Sequence, residues 1–333
     1  MSRTRAAPSP ELFHRLQDIP QLVLMVGAAA WATVAVACGD MAQQNAGNAP
    51  VTTAVSTRDV HNFVAAFQQM NPADSGCAWL EPYFRGGTPG LAAYDQHFGV
   101  DREQLCATVL RAPDRYARLD SASAAFDSAA AQTQQLFEAF QHIDPAARPV
   151  PMYFVVGTGI AAGTTVGLRE PVVLVAAERQ GSTHGMVMTL LHEFVHTQQH
   201  YPVIGMLTGG PQILRGSVLR HSIAEGSADF LVELVTGEPR HNVYAEAHEA
   251  ELWTNFQRDM HGTDYSQWLY NGQHPARGNV PPDLGYWMGY RITKAYYENA
   301  HDKPKAVHDI LNIRDFDDFL RRSGYGGGAA AAR

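Results

Sequence analysis

The sequence feature that most constrains this chain is an H-E-x-x-H motif formed by His192, Glu193 and His196. Residues four positions apart lie one above the other on an α-helix, so a helix through this motif directs both imidazoles at one point. The surrounding segment 184–200 carries an apolar stripe at helical spacing, made by Val187, Leu190, Leu191 and Phe194. We therefore expect a buried helix that presents two histidine nitrogens side by side.

The same motif predicts a metal site. Two imidazole nitrogens provide half of a tetrahedral zinc site, and histidine, the commonest metal ligand, occurs 15 times in this chain. Glu193 lies about 100° around the helix from His192. It can therefore act as a general base toward a zinc-activated water without binding the metal. The prediction is one Zn²⁺ per chain, with His192 and His196 as ligands; the alternative is a core helix with coincidental histidines.

A catalytic zinc site needs a third protein ligand. The metzincin pattern would place a histidine ten residues after His192, but that position is Pro202. Glu225 is the better candidate, because it lies on a second predicted helix, 222–236, among small residues that allow close helix approach. Asp229, one turn further, would accept the outer N–H of a liganding histidine. The alternative for Glu225 is an acid stabilised by the helix dipole.

The rest of the chain predicts an α+β domain, mostly helical, with a small sheet preceding the H-E-x-x-H helix. The apolar runs 151–156 and 171–176 are typical of strands, with room for a turn and a further strand between them. Residues 72–100 are expected to form a structured loop region. The other predicted helices begin after Thr57 or cover 102–110, 122–142, 244–260, 284–299 and 304–322.

The N-terminus is typical of a targeting sequence. Residues 22–37 are apolar but short for a membrane span, and Cys38 follows small residues as in a bacterial lipobox. The predicted organisation is a lipoprotein signal peptide at 1–37, a flexible tether at 38–57, the domain at 58–325 and a flexible tail at 326–333. A lipid on Cys38 would anchor the protein in the bacterial cell envelope. An ordinary signal peptide and an uncleaved anchor stay open.

The net charge of −8 argues against nucleic acid as a binding partner, because the phosphates of nucleic acid require basic surfaces. Cys77 and Cys106 are the two cysteines left besides Cys38, and an even pair in an oxidising compartment is compatible with a disulfide. Two buried free thiols are the alternative.

Three segments together resemble a known family: TLLHEFVHTQQH at 189–200, AEGSADFLVELVTG at 224–237 and DLGYWMGYRI at 283–292. H-E-x-x-H followed some 30 residues later by Glu, with Asp four further on, resembles the gluzincin zinc peptidases. The fuller pattern, over roughly 60–325, is similar to the bacterial predicted zinc-dependent proteases related to gliding-motility lipoproteins. The resemblance implies a zincin-like fold, peptidase activity and a signal or lipoprotein sequence.

The third segment carries the candidate oxyanion donors. Tyr286 and Tyr290 lie four residues apart in a predicted helix that also contains Gly285 and Gly289. The resemblance implies that one tyrosine faces the zinc and stabilises the oxyanion, which hydrolysis requires. Ordinary aromatic packing is the alternative, and His274 and Arg291 are further candidate donors.

The function expected from these features is zinc-dependent hydrolysis of a peptide or protein substrate, with Glu193 as general base. Two alternatives stay open. One is a lipid-anchored envelope scaffold or assembly protein that retains the zinc site with little or no turnover. The other is hydrolysis of a non-peptide amide, because zinc and a glutamate serve any carbonyl.

Overall fold

The computed structural model describes residues 54–71, 76–167, 170–202, 216–272 and 280–326. The predicted signal peptide, Cys38 and His274 lie outside the described residues. Within those ranges, no helix combines the length and the apolar character needed to cross a membrane.

Helices account for most of the described residues. Their bounds are α1 (Arg58–Gln68), α2 (Glu81–Arg85), α3 (Pro89–Phe98), α4 (Arg102–Arg111), α5 (Pro113–Ile143), α6 (Thr183–Gln198), α7 (Val218–Thr236), α8 (Val243–Ala247), α9 (Glu249–Asp259), α10 (Leu284–Asn299), α11 (Lys303–Leu311) and α12 (Phe316–Ser323).

The predicted helix pattern needs four corrections. The supposed loop region 72–100 contains a 3₁₀ turn and helices α2 and α3. The helix expected at 122–142 already begins at Pro113, because proline is well suited to the first helical position. The continuous helix expected at 304–322 is two helices, because the side chain of Asp315 accepts a hydrogen bond from the Asp318 amide and starts α12. The segment 244–260 is likewise divided, into α8 and α9.

Local capping fixes the two helices that carry the predicted metal ligands. The Ser182 side chain accepts from the Gly185 amide at the start of α6, and the Ser217 side chain accepts from the Arg220 amide at the start of α7. Helix α7 ends at Gly237, which adopts the left-handed conformation (φ +75°) that suits glycine, as predicted. The residues at which these helices start, and at which α7 ends, are therefore defined by short-range interactions.

The described strands form one four-stranded sheet: β1 (Val55–Ser56), β2 (Met152–Val155), β3 (Gly163–Val166) and β4 (Val172–Ala176). Their order is β1-β2-β4-β3, with β3 antiparallel to β4 and the other pairs parallel. The mostly helical α+β class with a small sheet before the H-E-x-x-H helix is confirmed. The tether predicted at 38–57 extends too far, because Val55 and Ser56 pair with β2.

Helix α6 is held in the core by aromatic packing. The Phe194 ring lies 5.3 Å from the ring of Phe137 and 5.1 Å from that of Phe140, both on α5. The opposite side of α6 packs on β3 and β4. Phe194 is fully buried, so the helix presents its histidines from a fixed position.

Helices α7 and α10 touch through their backbones. A Cβ atom added to Gly226 would lie 1.9 Å from the Tyr290 amide nitrogen, and one added to Gly289 would lie 1.6 Å from the Ser222 carbonyl oxygen. These contacts explain two glycines inside helices, where glycine is otherwise unfavourable. The small residues of both helices therefore serve the close approach.

A disulfide joins Cys77 to Cys106, with 5.7 Å between their Cα atoms. It links the turn before α2 to α4, and Cys106 is fully buried. The bridge closes a loop of 29 residues, which stabilises a fold by about 3 kcal/mol in the chain-entropy model.

The α7–α10 contact generates a stability prediction. Gly289→Ala should lower the free energy of unfolding by about 3 kcal/mol or more, because the new methyl meets backbone and cannot be accommodated by a rotamer change. Gly181→Ala is the matched control, since a Cβ at Gly181 meets nothing within 4 Å. Urea unfolding followed by circular dichroism measures both, and equal midpoints for the two variants would contradict the packing described.

Candidate metal centre

Three side chains from two helices meet at one point. The Nε2 atoms of His192 and His196 on α6 lie 3.0 Å apart, and each lies 3.1 Å from Oε2 of Glu225 on α7. Ligand atoms of a tetrahedral zinc, each about 2.0–2.1 Å from the ion, lie about 3.3 Å from one another. The donor types and their spacing therefore fit a zinc ion, and the structure brings together the three ligands that the sequence predicted.

The outer nitrogens of both histidines are held by acceptors. Nδ1 of His192 lies 2.9 Å from Oδ1 of Asp229, whose other oxygen contacts Arg240. Nδ1 of His196 lies 2.9 Å from Oε1 of Gln199. A carboxylate or amide oxygen accepts only, so both Nδ1 atoms donate, and Nε2 of each ring is the atom that can bind a cation once it has lost its proton.

Gln199 has a role that the sequence did not suggest. Its amide nitrogen donates to the Ala224 carbonyl (2.8 Å) and to the Ser227 hydroxyl (3.0 Å), both on α7. One side chain therefore orients His196 and also ties the end of α6 to the helix that carries Glu225. Its position three residues after His196 was available in the sequence, but glutamine carries no metal signature.

Tyr270 is the second residue that sequence reasoning missed. Its hydroxyl donates to Oε1 of Glu225 (3.0 Å) and lies 3.2 Å from Nδ1 of His221. Glu225 thus has one oxygen toward the histidines and the other held by a phenol. His221 is fully buried beside this network.

The loop that carries Tyr270 has an unusual backbone. Tyr270 and Asp283 both have φ of +57°, in the left-handed region that costs a non-glycine residue about 1–3 kcal/mol. Reciprocal bonds compensate: the Asn271 amide donates to the Asp283 carboxylate (2.9 Å), and the Asp283 amide donates to the Asn271 side chain (2.7 Å). Asp283 stands at the N-cap of α10, as predicted, but its side chain holds this loop rather than the helix.

The cluster is strongly coupled electrostatically. Burial opposes charge on His192, but the carboxylates of Asp229 and Glu225 outweigh it and raise the pKa of His192 to about 10. Burial alone would raise the pKa of Glu225, yet the two histidines hold it well below its usual range. The donor set thus attracts positive charge, and a bound metal ion would displace the imidazole protons.

Glu193 lies beside the cluster and outside its donor set. The Thr165 hydroxyl on β3 lies 2.9 Å from the Glu193 carbonyl and 3.1 Å from its Oε2. A Cβ added to Gly163 would lie 2.8 Å from Cγ of Glu193, so this strand covers the side chain closely. Burial raises the pKa of the Glu193 carboxyl. Its carboxylate is thus positioned by the sheet and lines the cleft.

The two candidate tyrosines have different surroundings. The Tyr286 ring lies 6.0 Å from the His192 ring and lines the cleft on both sides of the cluster. The Tyr290 hydroxyl donates to Glu233 (2.6 Å) and lies 3.2 Å from Nζ of Lys294, away from the cluster. Only Tyr286 of this pair is brought to the site. Of the further candidates, Arg291 forms an ion pair with Glu249 (2.9 Å), and His274 lies outside the described residues.

Two cavities open beside the cluster. The first has a volume of about 280 Å³ and extends from Gly163–Thr165 past His196 and Glu225 to Tyr201 and Arg220. The second, of about 430 Å³, lies on the His192 side and includes Asp229 and Arg240. Glu193, Tyr286 and Gly163 line both. The cluster therefore lies in the floor of a cleft with strand β3 along one wall.

A mostly helical domain with a His-His-Glu cluster at the floor of a cleft defines a candidate metalloprotein. Residues 134–314, more than half of the chain, match the family described as predicted Zn-dependent protease (DUF2268), and the chain belongs to that family. All three residues of the cluster lie within the matched segment. The family description supports zinc as the metal and a hydrolase as the class of protein. Neither the curated proteins nor the solved structures give a significant match to the chain.

The Asp229 contact generates a metal-binding prediction. Asp229→Ala should weaken zinc binding by about 10- to 100-fold, because His192 loses the acceptor that orients its ring. Competition with a chromogenic zinc chelator measures the affinity. Glu238→Gln is the control, since that side chain is exposed and lies outside the cluster. Unchanged affinity in Asp229→Ala would remove Asp229 from the metal site.

Proposed function

We propose that the protein is a zinc-dependent peptidase of the gluzincin type. His192, His196 and Glu225 would hold the ion, and Glu193 would act as general base. The observation that supports this most is the placement of Glu193, which is beside the three donors but held out of the donor set by β3. A purely structural zinc site would have no need for a further carboxyl that lines the cleft beside the donors.

Zinc in this site would supply Lewis acidity, polarising a carbonyl and making a water more acidic. Glu193 accepts the proton of the attacking water and then donates it to the leaving amine. Burial raises the pKa of its carboxyl, which makes the carboxylate a stronger base toward the water. Thr165 keeps the carboxyl aligned throughout.

Tyr286 is proposed as the hydroxyl donor to the oxyanion. Its ring is stacked beside His192 and under Arg240, whose guanidinium lies 5.6 Å from the ring centre. These contacts fix the ring without using the hydroxyl as their anchor. A donor already in place stabilises developing charge with little reorganisation.

Strand β3 is proposed to bind the backbone of the substrate. It is an edge strand of the described sheet, it runs antiparallel to β4, and its residues line both cavities. An extended peptide can pair with such an edge through main-chain hydrogen bonds. The apolar run 171–176 forms β4, which lies between β2 and β3 and has no free edge for a peptide.

The general-base role gives the main prediction. Glu193→Gln should keep one zinc per chain and lose about 100- to 10,000-fold in peptide cleavage, since glutamine cannot accept the proton. Zinc is measured by mass spectrometry of the protein, and cleavage by digestion of a degenerate peptide library. Glu238→Gln should match the parent in both measurements.

The opposite results favour the second candidate, a lipid-anchored scaffold or assembly protein. A parent protein that holds zinc yet cleaves no peptide would contradict the peptidase proposal. So would a Glu193→Gln variant that retains full biological function in the cell. Cleavage of small amides without cleavage of peptides would redirect the proposal to a non-peptide amidase.

The oxyanion role is tested by a matched pair of tyrosines. Tyr286→Phe should lower kcat by about 100- to 1000-fold with little change in KM, because the lost bond forms in the transition state. Tyr290→Phe should leave kcat within about twofold and cost about 1 kcal/mol of stability, since it removes a bond to Glu233. Equal kcat values for the two variants would remove Tyr286 from the mechanism.

We also propose that a lipid on Cys38 holds the mature protein at the bacterial cell envelope, facing the periplasm or the cell surface. The support is the sequence of residues 22–38. Cys38→Ser should move the protein from the membrane fraction to the soluble fraction of cells. Unchanged fractionation would contradict a lipid anchor.

A further inference from the structure

Arg220 is a buried cation beside the cluster that the proposed mechanism does not use. It lies in the first turn of α7, is only 5% exposed, and lines the first cavity together with Glu225. The two residues are five positions apart on one helix, an axial rise of about 7.5 Å between their Cα atoms.

The Arg220 guanidinium contacts a backbone carbonyl and an aromatic ring. Its Nη2 donates to the Pro202 carbonyl (2.5 Å), and its centre lies 4.8 Å from the ring centre of Phe316. Its Nε is buried with no hydrogen-bond partner among the described residues. In the same part of the chain, no carboxylate lies within ion-pair distance of it.

Two stretches that adjoin cleft residues in the sequence also lack acidic residues. The segments 203–215 and 273–279, which flank described cleft residues, contain no aspartate or glutamate. Burial lowers the pKa of Arg220, opposed only by the nearby phenols of Tyr201 and Tyr265. Arginine is nevertheless charged under all ordinary conditions.

A buried charge without a partner is expensive, and an apolar side chain of similar size would fill the same space without that penalty. The planar guanidinium suits a carboxylate, which it can bind through two parallel hydrogen bonds. Apart from His196, Glu225, Glu193 and His221, the residues that line this cavity with Arg220 are neutral, among them Tyr201, Pro202, Tyr270 and Tyr286. Arg220 is therefore the feature of this cavity best suited to select an anion.

We propose that Arg220 binds a carboxylate of the substrate, at a point of the first cavity separate from the bond that is cleaved. The carboxylate belongs to an acidic side chain or to the C-terminus of the peptide. This specificity role rests on the proposed peptidase function. The preference for acidic substrates that it confers is a separate property and can be measured without turnover.

The test measures binding to the zinc-loaded Glu193→Gln protein, which holds peptides without cleaving them. The probes are fluorescein-labelled peptide pools with glutamate or the isosteric glutamine at one position, each made with a free or an amidated C-terminus. Fluorescence anisotropy gives the affinity ratio of the charged and neutral member of each pair. The glutamate/glutamine and acid/amide arms separate the two sources of the carboxylate.

With Arg220 present, one arm should favour the charged member by about 10- to 100-fold, the range of a charge-assisted hydrogen-bonded pair. Arg220→Gln in the same protein should reduce that ratio to about one while leaving the neutral member unchanged. Arg258→Gln is the matched control, because that guanidinium is exposed at the end of α9. Zinc content and the melting temperature verify that each variant is folded.

A ratio near one in the Arg220 protein overturns the inference, whatever the variants do. A charge preference that survives in Arg220→Gln overturns it as well, since the carboxylate then binds elsewhere. If Arg220→Gln does not fold, Arg220→Lys replaces it: a reduced ratio supports the inference, and an unchanged ratio overturns it. Cleavage of the peptide pools by the parent without charge preference would leave the peptidase standing and remove only the carboxylate site.

Discussion

The structure depends on one carboxylate oxygen, Oε2 of Glu225, reaching the Nε2 atoms of two histidines on another helix. Such an approach requires α6 and α7 to pack closely, and the α7 groups on that side are the Ala224 carbonyl and the Ser227 hydroxyl, whereas Gly226 faces α10. Gln199 then fixes the distance, because it bonds to His196 and to two groups of α7. The fold thus keeps the donors together through bonds that a metal ion does not have to provide.

The residues that contact the cluster are themselves held by further polar contacts. Asp229 and Gln199 orient the histidines, Tyr270 holds the free oxygen of Glu225, and Arg240 contacts Asp229 in turn. Each member has a partner of the complementary kind, which is the condition under which a buried polar network becomes rigid. The strained backbone at Tyr270 is part of this arrangement, since its φ of +57° is held by the Asn271–Asp283 bonds.

The sequence predicted what helix periodicity controls. His192 and His196 are one turn apart and local geometry alone brings them together; Glu225 and Asp229 follow the same rule on a second helix. The strands before α6 also follow from local composition. Contacts between segments distant in the sequence cannot be predicted from local periodicity. Nothing in the residue types near Tyr270 indicates that its loop returns to Glu225.

Two further features could not be predicted, also because they depend on long-range contacts. The order of strands in the sheet is set by how the connecting segments cross over, so the sequence of β3 does not indicate that it is an edge strand. The disulfide was undecided because cysteine spacing does not fix the distance between Cα atoms. The periodicity of 304–322 predicts one helix, but Asp315 caps the start of a second helix, α12.

The backbone contact between α7 and α10 makes a single block of the helices that carry Glu225 and Tyr286. His192, His196 and Glu193 belong to the other block, formed by α6 with the sheet and α5. The donor cluster therefore spans the contact between these two sets of helices, inside one compact unit. A cation bound there would link the two sets, so metal affinity and the stability of the α6–α7 contact would change together.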